Sequence, residues 1–301
     1  MKFEGIIPPV ITPLNDDHSI DEDGFATVID YMIDGGVHGI IVGGTTGEFY
    51  ALSAEERIRQ FAFAKEQIKG RVPLICGVND ITTAGACGFA EAARGAGADG
   101  LLVAAPYYSL PTEREHATHC LAVEAAGQLP IMLYNYPGRT GIEMGEEFLS
   151  LVADNTNISA IKEASGDINR IHLLANNYPT VDLSCGAEDQ ALEFFVWGAT
   201  SWVTPMGNFF AEEVVALYDA CIVEKNFTKG RKIMAALLDL TTVLEGGGQL
   251  IQCTKFACDV FDLPAGPVRP PMQALDADAT AELGDIIKAA RANIRAIIAA
   301  G

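Results

Sequence analysis

Short runs rich in Val, Ile and Leu alternate along the chain with longer stretches in which apolar positions recur at helical spacing. Eight such runs occur, at 5–12, 39–43, 73–78, 100–105, 130–135, 158–164, 181–185 and 201–204. Their starts lie roughly 20 to 35 residues apart, the length that a strand, a loop and a crossover helix occupy together. Alternating units of this kind build parallel sheets, and eight of them predict an α/β fold closed into a (β/α)8 TIM barrel.

The helical stretches carry their own punctuation. Ser53, followed three residues later by Glu56, forms a capping box that opens an amphipathic stretch running to Lys69 and ended by Gly70. Glycine-rich helix exits recur at Gly35-Gly36, Gly95-Ala96-Gly97 and Gly198-Ala199, each just ahead of a predicted strand. From about Phe209 the pattern is helical over 211–223, 228–244 and 279–300, broken by Gly246-Gly247-Gly248 and a Pro-rich loop at 264–271. The expected organisation is a catalytic barrel over 1–224 with a C-terminal helical appendage over 225–301. An open doubly wound sheet is the competing architecture. Against it, Gly43-Gly44-Thr45-Thr46-Gly47 has neither the lysine of a phosphate loop nor the full dinucleotide fingerprint.

Composition narrows the functional classes. A chain of 301 residues could form two ordinary domains or one large barrel. Lys plus Arg number 20 against 40 Asp plus Glu, a net charge of −20, which argues against nucleic-acid or anionic membrane partners. An anionic substrate would have to be held by local groups against that field. Seven cysteines, odd in number and without paired spacing, suggest neither a disulfide framework nor a zinc site, and hence a reducing compartment. The N-terminus lacks the pattern of a signal peptide, and no apolar run approaches about 18 residues. A soluble cytoplasmic protein is the expectation.

In a βα barrel the reactive groups sit where strands reach their C-terminal edge. Lys162 lies in Ile158-Ser159-Ala160-Ile161-Lys162-Glu163-Ala164-Ser165, sharing a strand face with the small residues Ala160 and Ala164. Burial there would disfavour the ammonium and free the amine to attack a carbonyl. Glu163 points to the opposite face, toward pairing between barrel and helices. Gly43 to Glu48 offers glycines for close approach, two threonine hydroxyls and adjacent N–H donors, a cradle for a carboxylate or simply a tight turn. Tyr107, Tyr108 and Tyr134 supply phenols suited to proton transfer or to packing, and Arg139 sits in a Pro-Gly turn where it could clamp a carboxylate or form a surface ion pair. His116 and His119 stand at i, i+3 without a third metal ligand and read as surface or interface residues; Cys253 and Cys258 read as core.

Taken together, Gly44-Thr45-Thr46-Gly47-Glu48, Pro106-Tyr107-Tyr108, Tyr134-Asn135-Tyr136-Pro137-Gly138-Arg139-Thr140-Gly141 and Ile161-Lys162-Glu163-Ala164-Ser165-Gly166-Asp167 resemble the dihydrodipicolinate synthase and N-acetylneuraminate lyase superfamily over nearly the whole chain. The resemblance implies a TIM barrel with C-terminal helices, a homotetramer built from tight dimers, and pyruvate or another 2-keto acid bound to the lysine. By position, Lys162 would form the imine and Tyr134 would shuttle protons. Thr45 would link Tyr134 to Tyr108, which in the family reaches into the neighbouring subunit. Thr46, Gly47 and nearby N–H groups would hold the keto-acid carboxylate, with Gly186 and Val203 lining the imine pocket. Arg139 would face the carboxylate of a small aldehyde, aspartate semialdehyde in the synthases. Neither a metal nor a cofactor is implied. Arg139 favours the synthases over sialic acid lyases, while catabolic aldolases, dehydratases and deaminases of 2-keto acids share the lysine. Phe49-Tyr50 stands where synthases commonly carry small residues, and Gly85 where lysine-inhibited synthases often carry an acid, so no feedback inhibition by lysine is expected.

Overall fold

The computed structural model describes residues 1–300. Its sheet contains eight strands, β1 Gly5–Ile6, β2 Ile40–Val42, β3 Leu74–Gly77, β4 Gly100–Ala104, β5 Ile131–Asn135, β6 Ile158–Glu163, β7 Asp182–Cys185 and β8 Ser201–Trp202. All pairings are parallel, in the order β1-β8-β7-β6-β5-β4-β3-β2. The chain after β1 closes the ring: Ile41 N–H donates to Pro8 O and Val10 N–H donates to Ile41 O, each at 2.9 Å.

The first strand is much shorter than the run 5–12 suggests. Pro8, Pro9 and Pro13 have no N–H to give a ladder. Side chains take over there, with Ile11 N–H donating to Asn208 Oδ1 at 3.0 Å and Asn208 Nδ2 donating to Pro9 O at 2.9 Å.

Crossover helices are α1 Glu22–Asp34, α2 Ala54–Ile68, α3 Thr83–Gly95 and α4 Glu113–Gly127, then α5 Pro137–Thr140, α6 Glu146–Val152, α7 Ile168–Asn177 and α8 Ala191–Val196. The capping box at Ser53 forms, with Ser53 N–H donating to Glu56 Oε2 and Glu56 N–H donating to Ser53 Oγ. After β8 come α9 Ala211–Tyr218, a π-helical turn Asp219–Val223, α10 Phe227–Gly246, α11 Leu250–Asp259 and α12 Ala277–Ala299. Cys253 and Cys258, which the sequence reads as core, are both buried on α11. Among the described residues, no helix is long and apolar enough to cross a membrane.

Strand alternation divides the core in two. Ile41, Ile75, Leu102, Met132, Tyr134, Ala160 and Ala164 face the barrel interior with Phe3, Ile7 and Val203. Their neighbours Ile40, Val42, Leu101, Val103, Leu133 and Ile161 face the helices in a second, larger cluster. That parity turns Lys162 inward and Glu163 outward, as the sequence indicates.

Two histidines depart from expectation. Helix α4 is packed between α3 and α6, so the face carrying His116 and His119 is interior, not surface. His116 is fully buried against the Phe148 ring, with centroids 4.5 Å apart, and among the described residues neither of its ring nitrogens has a partner. His119 meets Thr83 Oγ1 through Nδ1 at 3.0 Å. Burial holds the imidazole of His116 down at about 3.

Candidate active site

Pairing aligns Tyr134 on β5 with Lys162 on β6, and Lys162 with Ser184 on β7. The ends of these strands are pinned from outside the barrel. Glu163 accepts from Asn135 Nδ2 at 2.8 Å, from Ser165 N–H at 2.7 Å and from Arg170 Nε at 3.2 Å. Arg170 also donates to Met144 O at 2.8 Å, while Asn135 Oδ1 accepts from Met144 N–H at 2.9 Å. Every oxygen of this buried carboxylate is paired, so it holds the strand ends rigid without entering the cavity.

Lys162 is 7% exposed, and its Nζ sits 4.1 Å from the centroid of the Tyr134 ring. Burial lowers its pKa to about 8, against the opposing pull of Glu188. At pH 7 roughly a tenth of such an amine is neutral, against about one part in three thousand for an unperturbed lysine. Burial pushes the Tyr134 phenol upward, partly offset by Arg139 and by the Thr45 side chain against it, so it stays protonated at neutral pH. Gly186, at the end of β7, leaves room for the lysine stem.

These groups share a cavity of about 70 Å³, whose walls include Thr45, Thr46, Tyr134, Arg139, Lys162 and Gly186. Arg139 lies in the single turn α5, half-stacked at 5.5 Å over the Tyr136 ring. A second, mainly apolar chamber of about 190 Å³ adjoins the first through Thr45, Tyr134, Tyr136 and Arg139, and Phe49, Tyr50 and Tyr107 wall its far side. Within the threonine loop, Gly47 N–H donates to Gly44 O and Glu48 N–H to Thr45 O. Gly47 itself is packed against Val10 O, where a Cβ would come to 3.0 Å.

The remaining sequence candidates lie off the cavity walls. Val203 is fully buried in the barrel interior. Tyr108 is 94% exposed, held at φ +73°, and walls neither cavity.

Three contributors were not evident from the sequence. Glu188, two residues beyond Gly186, is 3% exposed and lines the cavity with Lys162. Its Oε2 accepts from the Thr204 hydroxyl at 2.5 Å. Burial first, and Glu245 second, push its carboxyl well above the ordinary range. Glu245, at the exposed rim, accepts the Glu188 N–H at 2.9 Å. Leu244, Gly248 and Leu250 also line the cavity, so residues of the C-terminal helical region contribute to the site. The position of Glu188 just after a strand could have flagged it; nothing local distinguishes Glu245.

A closed parallel barrel with a polar cavity at the carboxyl ends of its strands defines a TIM-barrel enzyme. The chain belongs to the dihydrodipicolinate synthetase family, whose model matches residues 2–290, and is accordingly a lyase. The 4-hydroxy-tetrahydrodipicolinate synthase of Salinibacter ruber is 36% identical over 261 residues, covering 79% of this chain and 86% of that one. The crystal structure of dihydrodipicolinate synthase from Aquifex aeolicus superposes with a TM-score of 0.90 at 29% identity, covering 95% of this chain and 97% of that one. YagE, a prophage protein of the dihydrodipicolinic acid synthase family from E. coli K12 solved in complex with pyruvate, superposes with a TM-score of 0.91 at 28% identity, covering 96% and 99%.

Proposed function

We propose that this lyase works through an imine on Lys162 and condenses pyruvate with aspartate semialdehyde to 4-hydroxy-tetrahydrodipicolinate. The observation that carries the reading is a buried, partly neutral amine beside a protonated phenol in one small cavity. The name of the Salinibacter relative and the pyruvate held by YagE support the choice of substrates.

The neutral amine attacks C2 of pyruvate, the carbonyl oxygen leaves as water, and Tyr134 passes the protons that step requires. The resulting iminium withdraws electrons, so C3 loses a proton and the enamine attacks the aldehyde. Thr46 and its N–H hold the pyruvate carboxylate, and Arg139 at the mouth meets the carboxylate of the aldehyde. The outward Tyr108 serves a neighbouring subunit's relay through Thr45, in a homotetramer built from dimers. Reduction with borohydride in the presence of pyruvate, followed by mass mapping, tests the imine. A modified peptide lacking Lys162 would place the nucleophile elsewhere.

One observation favours a second reading. Glu188, a carboxyl that burial pushes well above the ordinary range in the same cavity, suits cleavage or dehydration of a larger 2-keto acid as well as condensation. Product analysis with pyruvate plus aspartate semialdehyde, beside a panel of 2-keto-3-deoxy acids, separates the two.

A further inference from the structure

The carboxyl of Glu188 is placed more strictly than a cavity wall requires. Thr204 Oγ1 accepts the Met206 N–H at 3.1 Å and turns its hydroxyl hydrogen onto Glu188 Oε2. Oε2 is engaged by Thr204, which leaves Oε1 as the oxygen able to exchange a proton with a bound ligand. Among the described residues no protein group bonds to Oε1, and Glu188 lines the Lys162 cavity. Its backbone is fixed as well, through its own N–H to Glu245 Oε1. The arrangement holds a carboxyl rigidly in the wall of the cavity that contains the amine.

We propose that Glu188 serves the oxygen on C4 of the substrate chain, donating the proton that this oxygen needs when its bond changes. The inference rests on the imine at Lys162 described above, which fixes C2 and leaves C4 two bonds farther along. In condensation, C3 of the enamine bonds to the aldehyde carbon, the carbonyl π electrons move to its oxygen, and that oxygen takes the Oε1 proton. In the elimination reading, the C4–O bond breaks instead, the enamine electrons form a C3–C4 double bond, and the hydroxyl leaves as water with the same proton. The proton released from C3 returns to solvent, and Glu188 is reprotonated from solvent at the cavity mouth, so charge and atoms balance either way. Desolvation and the neighbouring Glu245 both shift this carboxyl toward its acid form, the direction a general acid needs.

The test compares two readouts on the intact enzyme. Exchange of the pyruvate methyl hydrogens with D2O reports imine and enamine formation. Turnover is measured with pyruvate plus aspartate semialdehyde or with 2-keto-3-deoxygluconate, whichever the wild type consumes. Glu188→Gln keeps the acceptor for Thr204 but has no transferable proton. It should leave exchange within about threefold of wild type and lower turnover about 10²- to 10³-fold. Turnover within about threefold of wild type overturns the proposal. So does a parallel loss of exchange, which would move Glu188 to the chemistry at C2. Thr204→Val, expected to cut turnover about tenfold with exchange intact, gives the same discrimination should the first variant not fold. Borohydride trapping on the wild type reads the imine separately, so a missing adduct on Lys162 is distinguished from a failed role for Glu188.

Discussion

A Cβ placed on Gly186 would lie 2.8 Å from both Cγ and Cε of Lys162 and 2.9 Å from Cβ of Ala164. No real methyl tolerates that approach, so the glycine sets the path of the lysine side chain across the barrel interior. Gly186→Ala should therefore displace the amine while leaving the strands paired. The expected outcome is imine formation with pyruvate slowed at least about tenfold, and stability lowered by about 1–3 kcal/mol from overpacking. Time-resolved borohydride trapping reads the first effect and denaturant unfolding the second. Trapping at the wild-type rate would show that the lysine has another route.

The lysine itself weakens the fold. Its folded pKa of about 8 lies below the 10.5 of an unperturbed lysine, so between these values the unfolded chain binds more protons and stability rises with pH. The penalty is present in full below about pH 8 and is relieved as pH climbs toward 10.5. Lys162→Met, similar in length and without charge, should thus be inactive yet more stable by up to about 3 kcal/mol at pH 7. Urea titrations at pH 7 and pH 10 check this, the second showing a much smaller gain. A variant less stable than wild type at pH 7 would contradict the assignment.

The residues that sequence could place were those governed by local rules. A period of two fixes which side of β6 carries Lys162, and the spacing of apolar runs fixes the barrel, because both follow from strand geometry alone. Proline chemistry explains why the first strand fell short of its apolar run. What escaped depends on partners distant in sequence. Glu188 acquires meaning only from Thr204 sixteen positions on and from Glu245 at the end of α10. His116 and His119 were judged by a missing metal partner, whereas their burial is decided by α3 and α6 on either side of α4. The C-terminal helices follow the barrel as the sequence indicates, but no local signal in Leu244 to Leu250 shows that this stretch also lines the cavity.

His116 provides an acid-sensitive test of that packing. Burial holds its imidazole at about 3 in the fold against 6.5 for a free imidazole, so the stability tied to its neutral form is complete above about pH 6.5 and is lost progressively as pH falls toward 3. At pH 5 the loss amounts to about 2 kcal/mol. His116→Phe, packed on Phe148, removes the titration and should narrow the stability difference between pH 7 and pH 5 by about that amount. Thermal unfolding of both proteins at the two pH values measures it, and identical pH dependence would refute the role of this histidine.

The threonine loop is anchored from the far end of the chain. Glu48, left-handed at φ +55°, is buried with Lys255 Nζ 2.8 Å from its Oε1, while Oε2 accepts the Arg269 N–H at 2.9 Å. Lys255 donates onward to Pro267 O at 2.6 Å, and Arg269 grips Glu56 through Nη1 at 2.7 Å and the carbonyls of His18 and Ala51. Removing the lysine alone strands a carboxylate in the interior, a change that typically costs about 3–5 kcal/mol. Because Glu48 directly follows the loop that carries Thr45 and Thr46, Lys255→Met should also raise KM for pyruvate several-fold more than it lowers kcat. Adding Glu48→Gln removes the stranded charge but keeps an acceptor for Arg269, so the double variant should recover most of the lost stability. A double-mutant cycle by denaturant unfolding gives the coupling directly. If the double variant is no more stable than Lys255→Met alone, the charge pair is not what holds this loop, and the packing of α11 must be holding it instead.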